Sequence, residues 1–171
     1  MVPQDRRAER LSALFALTVG EVGLPFGQAW VARAPEPGGS VAGGVVVLRP
    51  DRPVPAHVWQ RVAAAEAEVL GERRRVSEQA DAACAGLRPS EPHLIVATMG
   101  VRPDHRRRGV ARALLEQALA LADQLGVPAY LETSSTANVA LYQRSGFGVS
   151  GHLHVPGGGP PVWAMRREAP G

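Results

Sequence analysis

The stretch that decides the fold is Val101-Arg102-Pro103-Asp104-His105-Arg106-Arg107-Arg108-Gly109-Val110-Ala111. An apolar run precedes it and an amphipathic pattern follows it, so it predicts a strand, a turn and the first turn of a helix. A helix N-terminus presents unpaired backbone N–H groups and the positive end of the helix dipole, which favour an anion. Glycine lets the backbone approach a ligand closely, and arginines donate charge-assisted hydrogen bonds to phosphate oxygens. We therefore predict a phosphate-bearing cofactor at this turn.

The patterns on both sides of this turn predict an α/β chain. Apolar residues at three- and four-residue steps indicate helices, and short β-branched runs bounded by Gly and Pro indicate strands. Residues 23–27 are expected to end the first helix, and Gly126 is expected to cap the helix after the turn. Gly100 lies inside a strand, which is typical of a bulge or of close approach by a ligand. The predicted helices cover residues 5–22, 53–69, 72–87, 110–125 and 138–145, and the predicted strands cover 28–33, 41–48, 94–101, 127–133, 147–155 and 161–167.

The length and charge of the chain narrow its class. With 171 residues it is long enough for a sizeable core and most economically forms one domain, residues 1–171. All nineteen basic residues are arginine, and the net charge of +3 is too small to indicate nucleic acid. The run Arg73-Arg74-Arg75 predicts a solvated helix face. We therefore expect no nucleic-acid partner.

Cysteine usage and hydropathy favour a cytoplasmic protein. The lone cysteine, Cys84, excludes an internal disulfide and suits a reducing compartment. Its alanine-rich helical context favours a structural role over a nucleophilic one. No run approaches the roughly 20 apolar residues of a membrane span, and the N-terminus lacks the layout of a signal peptide. We expect no membrane partner.

The order of strand, arginine–glycine turn, helix, strand, Asn-x-x-x-Tyr helix and Gly-Phe strand resembles the GNAT superfamily of N-acetyltransferases. The segment Arg106–Ala111 matches that superfamily's Arg/Gln-x-x-Gly-x-Gly/Ala signature, Val101-x-Pro103 precedes it, and Asn138–Phe147 follows it. A closer likeness is to the puromycin N-acetyltransferases. This likeness is strong after Glu91. We therefore expect a coenzyme-A-binding core at about residues 91–167. The segments that carry it are 97–101, 103–105, 126–134 and 163–165.

The resemblance implies a fold of the α/β (α+β) class. Its central sheet is mostly antiparallel, flanked by helices, and splayed at a β-bulge, which we expect near Met99-Gly100. The superfamily's first strand and helix precede the segment that opens here at Asp5, and we expect both to be missing. A start codon assigned too late is the explanation that we favour. Coverage of the exposed edge by another chain and impaired activity are the alternatives, since an unpaired edge strand promotes aggregation.

The resemblance also implies that acetyl-CoA lies between strands 94–101 and 127–133. The main chain of Met99 and Val101 would pair with the pantetheine arm, and the backbone amides of 107–111 would hold the pyrophosphate. A solvated arginine run at a helix start is the alternative. The residues assigned to the cofactor in this way are Met99, Gly100, Val101, Arg106, Arg107, Arg108, Gly109, Val110, Ala111, Arg112, Asn138 and Tyr142.

Acetyl transfer from a thioester to an amine needs a neutral amine, donors for the oxyanion and a proton for the leaving thiolate. Tyr142 matches the superfamily's general-acid tyrosine, and an ordinary buried aromatic is the alternative reading. Glu132, on a strand facing the cleft, is the best carboxylate to accept the amine's proton, directly or through water. Its alternative role is structural or substrate-orienting. Since the chain has no lysine and Cys84 lies outside the motif, direct transfer is preferred over a ping-pong route.

His152 and His154 share one face of a strand, but no third ligand is evident, so we expect no metal. Proximity to the acceptor pocket is the preferred interpretation of this pair. The predicted activity is acetyl transfer from acetyl-CoA to a primary amine of a small molecule, with an aminonucleoside or antibiotic and a resistance role suggested by the resemblance. A protein or peptide N-acetyltransferase and a non-catalytic acyl-CoA-binding module are the alternatives. The sequence is compatible with a homodimer and does not determine the oligomeric state.

Overall fold

Six strands form one mixed sheet in the computed structural model, which describes residues 6–169. The sheet order is β1-β2-β3-β4-β6-β5, and only the β3–β4 pair is parallel. Helices cover both of its faces. The predicted α/β class with a mostly antiparallel sheet is therefore confirmed. The strands are β1 Gln28–Arg33, β2 Val41–Leu48, β3 Leu94–Val101, β4 Ala129–Thr133, β5 Gly148–His154 and β6 Pro161–Arg167, and the helices are α1 Arg7–Leu17, α2 Leu24–Phe26, α3 Ala56–Leu70, α4 Arg74–Ala85, α5 Val110–Leu125 and α6 Thr136–Gln143.

The main core lies between α5 and one face of the sheet. Leu115 and Ala118 of α5 have no exposed surface and pack in the same cluster as Val47, Leu94 and Met165, which come from three different strands. Burying several large aliphatic side chains, at roughly 1.5–3 kcal/mol each, fixes α5 against the sheet. The N-terminus of α5 is thereby held at a defined place beside the end of β3.

The first helical segment differs from its prediction. Residues 23–27 were expected to end the helix, but the chain continues from α1 through a π-helical turn, Thr18–Gly23, into α2. A Cβ on Gly23 would lie 2.5 Å from a methyl carbon of Val46 on β2. Gly23 is therefore needed because the helical backbone packs directly on the sheet, and tertiary contact overrides its tendency to break a helix.

The second face of the sheet is covered by the π-helical turn that follows α1, by α3 and by α4. Val58 and Val62 of α3 pack with Val22, and Cys84 of α4 packs with Val155 and other apolar residues near β5 and β6. The run 73–75 is exposed, as its prediction as a solvated face requires. No helix in the described part of the chain is long and apolar enough to cross a membrane.

Strands β3 and β4 diverge after a short parallel contact. Only two residue pairs join them, Leu94 with Ala129 and Ile95 with Tyr130. Further along, Val47 of β2 pairs with Val96 and Val46 pairs with Thr98, so Ala97 is the extra residue of a bulge. The expected position near Met99-Gly100 was wrong by two residues. Gly100 itself pairs regularly with Gly44, because the extra residue lies earlier in β3, at Ala97.

The bulge has a consequence for the faces of β3. Val96 and Met99 both contact the core on the α5 side, although an uninterrupted strand would place residues three apart on opposite faces. Thr98 is directed to the opposite side, since its partner Val46 packs against the π-helical segment. The splay and the bulge together create a gap in the middle of the sheet.

Candidate active site

A cavity of about 720 Å³ lies where the end of β3, the N-terminus of α5 and the helix α6 meet. It contains every residue that the sequence assigned to the cofactor except Arg108, which is exposed on the turn and does not line the cavity. Glu132 does not line it either. The lining residues are Met99, Gly100, Val101, His105, Arg106, Arg107, Gly109, Val110, Ala111, Arg112, Ala137, Asn138, Leu141, Tyr142 and Arg144.

The turn before α5 has a left-handed backbone at two positions. Arg107 has φ 59° and Gly109, the N-cap residue, has φ 81°. The first backbone hydrogen bond into the helix runs from the Ala113 N–H to the Gly109 carbonyl at 3.0 Å, and no side chain in the described chain caps the helix. The N–H groups of Val110 to Arg112 are consequently left for a ligand. A left-handed backbone at an arginine costs about 1–2 kcal/mol of conformational free energy, and backbone strain of this kind is typical of functional turns.

The cavity wall is strongly cationic. The Arg106 guanidinium donates to the Val101 carbonyl at 3.3 Å, and Arg112 pairs with Glu116 at 2.8 Å. Within residues 6–169, Arg107 and Arg144 have no acidic partner at ion-pair distance. Uncompensated arginines beside a free helix N-terminus fit a polyanion such as a pyrophosphate.

Four lining residues were missed in the sequence analysis: His105, Ala137, Leu141 and Arg144. Arg144 follows α6 directly, and its long side chain reaches back to the cavity from the end of the helix. The helical period alone could have pointed to Leu141, which is one turn from Asn138. It gives no indication for His105 or Arg144, because both lie outside regular helix.

Tyr142 of α6 lines the cavity. Its ring packs edge-on against Phe147, 5.9 Å between centroids, and only 8% of the residue is exposed. Burial raises the pKa of the Tyr142 hydroxyl, so the group keeps its proton at neutral pH. No other described residue forms a hydrogen bond with this hydroxyl. Asn138, one turn earlier, donates to the Thr133 hydroxyl at 3.3 Å, which ties α6 to the end of β4.

Glu132 lies on the other face of the sheet from the cavity. Its neighbour Leu131 belongs to the core on the α5 side, and alternation along β4 turns Glu132 toward α4. Its Oε1 atom accepts hydrogen bonds from the Tyr130 hydroxyl at 3.0 Å and from Arg88 Nε at 3.1 Å. Glu132 lies two residues beyond the last β3–β4 pair, so it borders the gap between the diverging strands.

The remaining candidates have structural explanations. Cys84 is buried, and its thiol pKa is raised by burial and then by the charge of Glu132, so it remains protonated. His152 and His154 are exposed on β5, with ring centroids 5.2 Å apart, and His152 also contacts the Trp163 ring. Among the residues described, no three His, Cys, Asp or Glu side chains group as metal ligands.

The cavity and the Glu132 carboxylate together suit a reaction between two reactants that approach from opposite faces of the sheet. A phosphate-bearing group at the α5 terminus would place its other end beside Tyr142, a protonated hydroxyl. A second reactant could reach the same point through the gap from the Glu132 side. Proton removal on one face and proton donation on the other are the two acid–base functions that transfer of an acyl group to an amine requires.

Comparison with known proteins agrees with this geometry. A sequence model of the family described as "Acetyltransferase (GNAT) family" matches residues 22–147. One similar structure is a Corynebacterium glutamicum protein described as "histone acetyltransferase HPA2 and related acetyltransferase". It is 28% identical to this chain, the alignment covers 99% of this chain and 80% of that chain, and the TM-score is 0.73. Two further structures share the fold. A Drosophila melanogaster polyamine N-acetyltransferase is 19% identical, with 98% and 82% covered and a TM-score of 0.58, and a Bacillus subtilis acetyltransferase in complex with CoA is 16% identical, with 99% and 97% covered and a TM-score of 0.57.

Proposed function

This chain belongs to the acetyltransferase (GNAT) family, whose members use acetyl-CoA, and we propose that it acetylates a primary amine of a small molecule. The observation that carries the proposal is the cavity itself. It combines an uncapped helix N-terminus and arginines without an acidic partner among the described residues, suited to pyrophosphate, with a buried tyrosine that lines the same cavity. We take the chain as a single cytoplasmic N-acetyltransferase domain with its coenzyme-A-binding core at about residues 91–167.

The cofactor end of the proposal assigns binding to the backbone. The N–H groups from Arg107 to Ala111 hold the pyrophosphate, and the main chain of Met99 and Val101 pairs with the pantetheine arm. Gly100 has open space where a Cβ would be, so no side chain stands between the strand and its ligand. When bound, acetyl-CoA supplies the thioester carbonyl that the amine attacks.

The chemical steps are assigned to Glu132 and Tyr142. Glu132 accepts a proton from the substrate ammonium group, directly or through a water, and so leaves a neutral amine with a free electron pair. The C–N bond forms and the C–S bond breaks, and Tyr142 donates its hydroxyl proton to the leaving sulfur, so that CoA departs as a thiol. The second proton of the acylated nitrogen then passes to the Tyr142 oxygen, which leaves a neutral amide and restores the hydroxyl. A protonated Tyr142 is required for this step, and burial, which raises its pKa, preserves that state.

For the acceptor, we propose an aminonucleoside or a related antibiotic amine, with resistance or self-protection as the biological role. The support is the likeness of segments 97–101, 126–134 and 163–165 to the puromycin N-acetyltransferases. The splay between β3 and β4 gives such an amine a route to the thioester from the α4 side.

A protein or peptide amine is the second candidate acceptor. It is favoured by the 28% identity to the Corynebacterium glutamicum protein described as a histone acetyltransferase and related acetyltransferase.

Release of free CoA from acetyl-CoA tests the proposal. The intact chain is assayed with puromycin, with spermidine and with peptides bearing a free α-amine or a lysine, and product mass identifies the acetylated atom. We expect turnover with puromycin. Turnover with peptides alone would replace the small-molecule acceptor by a protein. Tight CoA binding in calorimetry without CoA release for any amine would instead support a non-catalytic acyl-CoA-binding module.

A further inference from the structure

Tyr130 is a buried polar side chain that the proposed reaction does not use. It is 1% exposed, its ring packs edge-on against His93 at 5.5 Å, and it lies two residues before Glu132 on the same face of β4. A phenol hydroxyl in the interior needs a hydrogen-bond partner, because leaving it unpaired costs free energy. Its partner is the Oε1 atom of Glu132, at 3.0 Å.

Arg88 contacts the same atom from a different part of the chain. It follows α4, and its Nε donates to Oε1 of Glu132 at 3.1 Å. The two donors therefore converge on one carboxylate oxygen, and neither of them engages Oε2. Arg88 is 44 residues distant from Glu132 in the chain, so this contact depends on how α4 packs on the sheet.

We propose that Tyr130 and Arg88 are positioning residues that hold Oε1 of Glu132 and leave Oε2 to accept the proton of the substrate amine. The inference rests on the proposed function, because it assigns a task to the same carboxylate. A carboxylate held at one oxygen by two donors keeps a fixed orientation, and positioning within reach of the transferred proton is what a general base requires. The proton moves from the ammonium nitrogen to Oε2, and Tyr130 and Arg88 keep their own protons.

The other titratable groups near Glu132 leave this arrangement intact. Burial, followed by the negative charge of Glu132, raises the pKa of Tyr130, so its hydroxyl remains a donor. The Cys84 thiol also faces Glu132, and burial, followed by the charge of Glu132 and a side-chain hydrogen bond to it, raises the thiol pKa, so it remains protonated. Asp81 of α4 adds a carboxyl group whose pKa is raised chiefly by burial and, to a smaller extent, by Glu132. Arg88 is the cation that forms an ion pair with Glu132. Arg166, which lies opposite Tyr130 on β6, pairs with Glu91 and Glu168 instead.

Titration of the Glu132 carboxyl carbon by ¹³C NMR tests the inference without any acceptor. The intact protein is compared with Tyr130→Phe, which keeps the ring, and with Arg88→Gln, which alters a half-exposed side chain. The Glu132 resonance is assigned by its loss in Glu132→Gln. Hydrogen bonds to an ionised carboxylate favour that form, so each variant should shift the titration midpoint upward by about one pH unit.

Two control variants separate this effect from a general one. Arg61→Gln removes an exposed arginine that pairs with Glu21 at 2.9 Å, and Tyr142→Phe removes a hydroxyl on the opposite face of the sheet. Both should leave the Glu132 titration unchanged. An unchanged midpoint in both Tyr130→Phe and Arg88→Gln would overturn the inference, as would an equal shift in the controls.

Kinetics then distinguish the inference from the proposed function. With the most reactive amine of the panel, the acid limb of kcat/KM against pH should move upward in Tyr130→Phe and Arg88→Gln by the shift that NMR records. Full turnover by Glu132→Gln would remove both the base assignment and the positioning role. Loss of turnover in Glu132→Gln, with unaltered pH profiles in Tyr130→Phe and Arg88→Gln, would remove the positioning role alone.

Discussion

Replacing Gly109 by alanine tests whether the left-handed turn itself binds the cofactor. Gly109 has φ 81° at the N-terminus of α5, and Gly126 has φ 65° at its C-terminus. A Cβ would meet no atom within 4 Å at either position. The two substitutions are therefore matched: both alter only the backbone preference, at opposite ends of one helix.

The expected magnitude follows from the left-handed conformation. An L-residue there costs about 1–2 kcal/mol relative to the right-handed region. For a chain of this length, each kcal/mol lowers Tm by about 2–4 °C, so Gly126→Ala should lower it by roughly 2–8 °C. In Gly109→Ala the turn can relax in the free protein, and binding must then restore it. This restoration should weaken CoA binding by about 5- to 30-fold, since 1.4 kcal/mol corresponds to tenfold.

Thermal unfolding and calorimetric titration with CoA measure the two effects on the same samples. We expect Gly126→Ala to lose stability and to keep its CoA affinity within about twofold of the intact chain, because the helix C-terminus lies far from the cavity lining. Equal CoA affinity in Gly109→Ala and the intact chain would refute the role of the turn. Equal weakening in both variants would show that the effect passes through overall stability instead.

Two other substitutions and one labelling experiment test the chemistry and the burial of single groups. Tyr142→Phe should lower kcat by about 10²-fold or more and leave CoA affinity within about twofold, and unchanged turnover with the best amine would argue against a general acid. Cys84 should react with Ellman's reagent more than about tenfold faster in denaturant than in the folded protein, since burial raises its thiol pKa; equal rates would contradict the buried placement. Although Asp81 is an exposed residue, partial desolvation of its carboxyl raises its pKa, so a small, solvent-screened contribution to stability is lost as pH rises through that value. Asp81→Asn should therefore raise Tm at pH 7 and have little effect near pH 3, and a lower Tm at pH 7 would count against this sign.

Much of the fold could be predicted because its signals are local. The bounds of β1, β2, β3 and β6 agree with the predicted strands, since each is a short apolar run bounded by Gly, Pro or charged residues. Gly126 caps α5 with a left-handed backbone, as its position after the last apolar residue predicted. The first helix was predicted less well. Its extension through Gly23 depends on contact with Val46, and no local pattern reports that contact.

The candidate site could likewise be predicted only where its residues are close in the sequence. The turn before α5 could be predicted as an anion site because arginines, glycine and the helix start are contiguous in the chain. Asn138 and Tyr142 share one face because they are four residues apart on a helix. Arg144 could not be identified, since its approach to the cavity depends on where α6 lies relative to α5.

By itself, the sequence determined most of the elements, the arginine–glycine turn before α5 and the candidate residues for acid–base chemistry, because these depend on neighbours within a few positions. Only the tertiary structure decided where the sheet opens, because the bulge at Ala97 is a matter of register between β2 and β3. It also placed Glu132 on the face opposite the cavity and brought Arg88 to it across 44 residues of chain. Those contacts arise from the packing of α4 on the sheet, where burial of distant side chains sets the geometry.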